Sequence, residues 1–278
     1  MNASSRSLQQ IEFTAFDLET TGLHPVSCRI VEIGAIRFRG DGTVLGEFEQ
    51  LVDPGRPIPP SAIRIHGITD EAVAGQPSIR DVLPRFAEFI GGGPAILLAH
   101  NAAFDVGFLS VECRRVRYTP PEHKVIDTCG LARRRLKLAN YKLDTLGRHY
   151  GLIEIEEHRA LSDAVLLKDV FLRLIRERPA IRSEGRLLEH SPVLSFQDLG
   201  AILDDPPPGF EELWESIADE RPVEMTYMGG STPGATRAVT PLGVIQTRGQ
   251  LYLTAVCHQS HCEKTFRLDR IAAYRKIS

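Results

Sequence analysis

The alternating run Ile11-Glu12-Phe13-Thr14-Ala15-Phe16 leads directly into Asp17-Leu18-Glu19-Thr20-Thr21-Gly22. Such period-two alternation predicts a β-strand. On a strand, residues i and i+2 project to the same face, so Asp17 and Glu19 stand side by side at its end. Two neighbouring carboxylates repel each other unless a cation lies between them. Hard oxygen ligands on a rigid strand suit Mg²⁺ or Mn²⁺. An acid pair of this spacing also occurs as plain loop capping, so a metal site requires further acids brought to the same strand end.

The chain is large enough to supply them. At 278 residues, 42% hydrophobic and 25% charged, it has the make-up of an ordinary globular protein with room for two cores. The polar first ten residues predict no signal peptide, and no apolar run reaches the length of a bilayer, so no membrane partner is expected. Five cysteines at irregular spacings predict reduced thiols in a cytoplasmic protein. The net charge of -3 exerts no overall pull on nucleic acid, but residues 114–142 hold nine Lys/Arg against Glu122 and Asp127 alone.

In chain order the pattern predicts an α/β domain. Strands at 29–38 and 44–52, joined by the turn Gly40-Asp41-Gly42, make antiparallel hairpins with the first strand. Prolines 54, 57, 59 and 60 break the run, and short helical turns near 60–65 precede a helix at 79–90. Then come a buried strand at 95–99, a helix at 103–115, a short strand at 124–127, and helices near 128–138, 143–150 and 161–176. Hairpin strands followed by alternating helices and strands imply a mixed sheet with helices on both faces.

Two further acid groups fall at strategic points of this plan. In His100-Asn101-Ala102-Ala103-Phe104-Asp105, a buried strand ends and a helix begins, which places Asp105 near the strand's C-terminal edge. In His158-Arg159-Ala160-Leu161-Ser162-Asp163, the histidine precedes a helix and Asp163 lies in its first turns. Each acid also suits a helix N-terminus on dipole grounds alone. Four carboxylates together hold two divalent ions about 4 Å apart, which clamp the attacking and leaving oxygens of a phosphodiester. A histidine with a pKa near 6.5 deprotonates the attacking water at neutral pH.

This triplet of motifs resembles the DEDDh exonucleases of the DnaQ-like group, which include the proofreading epsilon subunits of replicative polymerases. The resemblance covers about residues 10–178. It implies an RNase H-like fold and removal of nucleoside 5′-monophosphates from a 3′ end of single-stranded DNA or RNA. It also implies that Asp17, Glu19, Asp105 and Asp163 are ligands to two Mg²⁺ or Mn²⁺ ions and that His158 is the general base. Thr20, Thr21, Gly22, His66, Asn101 and Phe104 become candidate substrate contacts, His66 lying in the matching segment Ile65-His66-Gly67-Ile68-Thr69. A polymerase or repair partner is a further implication. The basic stretch, with Arg133-Arg134-Arg135 and Tyr141, reads either as a guide for the incoming strand or as a solvated helix face.

Beyond residue 178 the composition changes. Residues 179–209, with Pro179, Pro192 and Pro206-Pro207-Pro208-Gly209, read as a linker with one short helix at 196–203. An acidic helix at 210–219 and five short strands follow, which suggests a small β-barrel at 210–278. Gln250-Leu251-Tyr252-Leu253 and Phe266-Arg267-Leu268-Asp269-Arg270-Ile271 resemble a WYL domain, with Leu251 in place of that family's tryptophan. This resemblance implies an SH3-like barrel that senses nucleic acid or a nucleotide-like ligand, with Arg237, Tyr252, Arg267 and Arg270 as candidate contacts. The arginines alternatively pair with the acidic helix. The cluster Cys257-His258-Gln259-Ser260-His261-Cys262 does not suit zinc: a hairpin turn at Gln259-Ser260 sets the His pair and Cys pair on opposite sheet faces.

Three functions fit the sequence: a metal-dependent 3′–5′ exonuclease, an exoribonuclease of the same fold, and a non-catalytic nucleic-acid-binding regulator. All five catalytic positions are filled, which favours an enzyme.

Overall fold

The structure is a computed structural model that describes residues 6–23, 25, 28–93, 95–153, 158–177, 181–196, 206–219, 221–230, 232–247, 250–260 and 262–277. The expected strand alternation forms β1 (Glu12–Thr20), β2 (Ile30–Arg39) and β3 (Val44–Leu51). Short helices α1 (Pro60–His66) and α2 (Asp70–Val73) lead to α3 (Ile79–Ile90). Then follow β4 (Ile96–Ala99), α4 (Ala103–Arg115), β5 (Lys124–Asp127), α5 (Thr128–Arg133), α6 (Leu143–His149) and α7 (Ala160–Arg176). Two more elements, α8 (Glu184–Glu189) and β6 (Val193–Leu194), complete the first unit.

The six strands lie in the order β3-β2-β1-β4-β5-β6. Hairpin pairs are antiparallel, whereas β1 with β4 and β4 with β5 are parallel, so the sheet is mixed as expected. Alternation along β1 divides the core. Phe13 and Ala15 face α7, meeting Leu167, Val170 and Phe171. Phe16 and Leu18 face α3 and α4, meeting Phe86 and Phe108. Helices therefore cover both faces, and the face carrying Phe13 and Ala15 continues to Asp17 and Glu19.

Residues 181–196, read from the sequence as linker, pack onto this unit. Ile181 and Leu187 are buried in the α7 core and Phe196 in the opposite one. β6 pairs with β5, and the Ser110 hydroxyl donates to the Phe196 carbonyl at 3.0 Å. Their proline and serine content conceals the pattern, because the strand is only two residues long. The start of the chain closes against the same segment through a Ser7–Ser183 bridge and an Arg6–Glu184 ion pair at 2.7 Å. The helix expected at 196–203 falls almost wholly outside the described residues.

The second unit consists of α9 (Glu211–Ala218), β7 (Val223–Tyr227), β8 (Thr236–Thr247), β9 (Gln250–Cys257), β10 (Cys262–Arg267) and β11 (Ile271–Lys276). Its strand order is β10-β9-β8-β7-β11. The two end strands do not pair with each other among the described residues, so an open antiparallel sheet stands where a closed barrel was expected. Leu213 of α9 fills the sheet's core with Met225, Val239, Leu253 and Phe266. Cys257 pairs in register with Cys262, and His258 bonds Thr240 at 2.8 Å. Among the described residues no helix is long and apolar enough to cross a membrane.

Candidate active site

Asp17 and Glu19 end β1 on the face covered by α7, whose first turn carries Asp163. Ligand oxygens of these three acids lie within 4.8 Å of one another. Like charges at that spacing repel by on the order of 3 kcal/mol per pair at the effective dielectric of a protein site. Burial, then Asp163 and Glu32, push the Glu19 carboxyl up to about 8. Burial and the charges of Asp105, Asp163, Glu19 and Glu32 raise Asp17 well above the carboxylate range. A divalent cation resolves this conflict, and an all-carboxylate donor set is the one that Mg²⁺ or Mn²⁺ prefers. The residues present fit such an ion.

Asp105 stands apart from that trio. It is only 2% exposed in the first turn of α4, a helix packed on the face opposite α7. Its charge still acts on Asp17. Burial raises its pKa, opposed by hydrogen bonds from its own and Leu18's backbone amides. The turn before it depends on Asp127, whose Oδ1 accepts from the amides of Asn101 at 3.0 Å and Ala102 at 3.3 Å. The same oxygen caps α5 through Cys129 at 3.1 Å. This anchorage holds Asn101 at φ +61°, a left-handed position that asparagine tolerates.

His158 is exposed, two residues before α7. The helix it precedes is fixed by residues the motifs did not reveal. Arg159 has no capping side chain, and the first amide of α7, Ala160 N–H, donates instead to Glu32 of β2 at 3.0 Å. Glu32 is fully buried and also accepts from Arg159 Nε at 3.1 Å through both oxygens. The arginine reaches onward to Glu49 at 3.0 Å. A carboxylate from the sheet thus serves an orphan helix amide and binds the residue next to His158. Opposite Asp17, Gly34 lets the helix approach: a Cβ there would lie 2.1 Å from the Ala160 carbonyl carbon. The signal was present in the sequence. Glu32 and Gly34 are the two non-apolar positions, at i and i+2, in the otherwise apolar run from Ile30 to Ile36.

The expected substrate contacts divide into two sets. His66 is 5% exposed, accepts from the Ile68 amide at Nδ1, and turns Nε2 toward the Thr20 backbone. Burial and the nearby His158 lower its pKa, while Thr20 and Glu32 act in the opposite sense. Thr20, Thr21 and Gly22 are largely engaged with one another and with the next strand. The Thr20 hydroxyl donates to Gly22 O at 2.7 Å, and Thr21 Oγ accepts from the Arg29 amide at 3.0 Å. Phe104 is half-buried with its ring 4.9 Å from that of Phe108.

In the second unit, Tyr252 and Arg267 are cross-strand partners. Arg267 pairs with Asp269 rather than with the acidic helix, whose Glu215 takes Lys276. Arg237 lies over Phe266 at 5.9 Å and donates to Thr232. Arg270 is exposed.

Residues 14–171 match the exonuclease family and residues 208–276 the WYL domain. DNA polymerase III subunit epsilon of Treponema pallidum is 36% identical over 186 residues, covering 66% of this chain and 84% of that protein. The PolC-type DNA polymerase III of Thermotoga petrophila is 39% identical over 169 residues, which is 61% of this chain but only 12% of that polymerase. Among solved structures, exonuclease X in complex with 5′ overhanging duplex DNA gives a TM-score of 0.50 at 28% identity, over 64% of this chain and 99% of that one. E. coli exonuclease I with a dT13 oligonucleotide gives 0.56 over 89% of this chain and 55% of that one, at 18% identity, a likeness of fold. These neighbours share the RNase H-like α/β architecture built here around the acids. The chain belongs to the exonuclease family whose model it matches over residues 14–171, enzymes that hydrolyse phosphodiester bonds, and carries a WYL domain behind it.

Proposed function

We propose that this chain removes nucleotides one at a time from the 3′ end of single-stranded DNA, releasing nucleoside 5′-monophosphates. The observation that carries this reading is the grouping of Asp17, Glu19 and Asp163 within 4.8 Å, with exposed His158 at the head of the same helix. Asp17, Glu19, Asp163 and Asp105 would hold Mg²⁺ or Mn²⁺. When bound, such ions neutralise the phosphate and make water a stronger acid. His158 accepts the proton of the attacking water, and its solvent exposure lets that proton leave again. His66, set beside the Thr20 backbone, lines the place of the terminal nucleotide, and Phe104 offers a ring face to the last base. Thr20, Thr21, Gly22 and Asn101 act mainly by holding the loops that frame this end.

The polymerase names of the similar proteins favour DNA and a polymerase or repair partner. We place the nuclease at 10–178 with the following segment folded onto it, and the WYL-like unit at 210–278. That unit, through Arg237, Tyr252, Arg267 and Arg270, takes nucleic acid or a nucleotide-like ligand. The free thiols of Cys113, Cys129 and Cys257 fit a cytoplasmic protein. Matched 5′-labelled DNA and RNA oligonucleotides digested with Mg²⁺ or Mn²⁺ test the proposal. A single-nucleotide ladder on DNA is expected, and faster laddering on RNA would favour the exoribonuclease reading. Metal binding with every 3′ end left intact would sink both.

A further inference from the structure

We infer that the cleft between the two units is a nucleotide-binding site separate from the acid cluster. It encloses about 890 Å³, within the range of roughly 300–1,000 Å³ common for small-ligand sites. One wall is rich in arginine: Arg29 at the edge of β2, Arg80 in α3, and Arg114, Arg115 and Arg117 where α4 ends. The facing wall is formed by Trp214 and Ile217 of α9 and by residues 240–244 of β8. Neither the acids at the end of β1 nor Arg237, Tyr252, Arg267 and Arg270 line it. Ten residues of α4 separate Asp105 from Arg115, about 15 Å along a helix axis.

The charges in the cleft are unbalanced. Its lining acids are Asp53 and Glu112. Glu112 is fully buried, and its two oxygens bind Arg29 at 3.4 Å and Arg115 at 3.0 Å, so its charge orients those two guanidiniums. Asp53 accepts from the Gly55 amide at 2.8 Å. Among the described residues, Arg80, Arg114 and Arg117 have no carboxylate within ion-pair distance. Among those residues Arg80 reaches the Val116 carbonyl at 3.4 Å, and Arg114 Nε is buried with no hydrogen-bond partner. A sheltered, unpaired guanidinium is costly, and its planar fork matches phosphate oxygens. The opposite wall offers an indole, which stacks on a nucleobase. Phosphate recognition on one side and ring recognition on the other define a nucleotide, either free or within a strand.

Trp214 is the chain's single tryptophan, so its fluorescence reports on this cleft alone. The full chain is titrated in EDTA, which removes metal-dependent binding at the acids and separates this test from that of the exonuclease reading. Saturable change is expected with 5′-AMP, with adenosine at least about tenfold weaker for want of its charge-assisted bonds. Arg114→Gln and Arg117→Gln should each weaken 5′-AMP by about tenfold. Arg117 is exposed, so its variant remains informative should Arg114→Gln fold poorly. An oligothymidylate that displaces 5′-AMP identifies the strand as the source, and one that fails to compete identifies the free nucleotide. The inference is overturned if neither ligand gives a saturable change at millimolar concentration. It is also overturned if both arginine variants bind as the parent does, or if inorganic phosphate binds as tightly as 5′-AMP.

Discussion

Single side chains determine how the acid site behaves with pH. Glu19, raised to about 8, is protonated in the metal-free folded protein at pH values where the unfolded chain has already released its proton. Below about pH 4.5 the two states match. As pH rises from there to about 8, the unfolded state gains on the folded one, and above 8 the loss is complete. Asp17 and Asp105 are shifted in the same direction. The melting temperature of metal-free protein should therefore fall between pH 5 and pH 8, and Mn²⁺ should raise it far more at pH 8 than at pH 5. A metal effect independent of pH would contradict the carboxylate site. His158→Ala should retain that metal-induced rise in melting temperature while slowing hydrolysis by about 10²–10⁴-fold, whereas Asp163→Ala should lose both. Glu32→Gln keeps the size of the side chain but removes the charge that binds Arg159. It should cost about 1–2 kcal/mol, since the arginine is partly exposed, and lower kcat more than it raises KM. Melting and steady-state kinetics on the same preparation check both effects.

At the scale of elements, the site arises from one close approach, that of α7 to β2. Gly34 has no Cβ, and the helix start occupies that space. Gly34→Ala must displace the turn carrying His158 and Asp163 by over an ångström. A misplacement of that size costs about 10²-fold in rate, and the loss should appear with little change in metal-free fluorescence or circular dichroism. This approach also marks what could be read from the chain alone. Asp17 and Glu19 sit on a strand whose alternation is local, and Asp105 and Asp163 sit in first helical turns, so their motifs carry their own geometry. Glu32, Arg159 and Asp127 act on partners 128, 127 and 26 residues away. The polar break in an apolar strand marks Glu32 in the sequence, but only pairing across the sheet or between loops reveals what these three residues hold. The small second sheet was legible strand by strand because turn residues separate its strands. Its openness was not, since closure depends on whether two end strands meet.

At the scale of the whole molecule, the second unit should contribute to holding the substrate. A chain shortened after Phe196, which retains the buried ring and β6, should bind a single-stranded oligonucleotide more weakly than the full chain. The difference should shrink with added salt, because phosphate contacts release counterions. Equal affinities at low salt would restrict the second unit to a small ligand or a protein partner. A chain cut at residue 178 would not serve as the comparison, since it loses Ile181, Leu187 and Phe196 from two cores.

The strap at residues 181–196 has one more consequence. With Ser7 bridged to Ser183 and the Leu8 amide donating to the Arg182 carbonyl at 3.2 Å, the nuclease chain returns to its own beginning. Its connectivity is therefore nearly circular. A permutant that joins residue 6 to residue 196 by a flexible bridge long enough to pass from the core of Leu8 to that of Phe196, and that opens at the exposed turn near Gly75, should fold and keep its nuclease activity. In such a molecule the second unit has no covalent tether at all, and any affinity it retains for the nuclease would be that of two separate proteins.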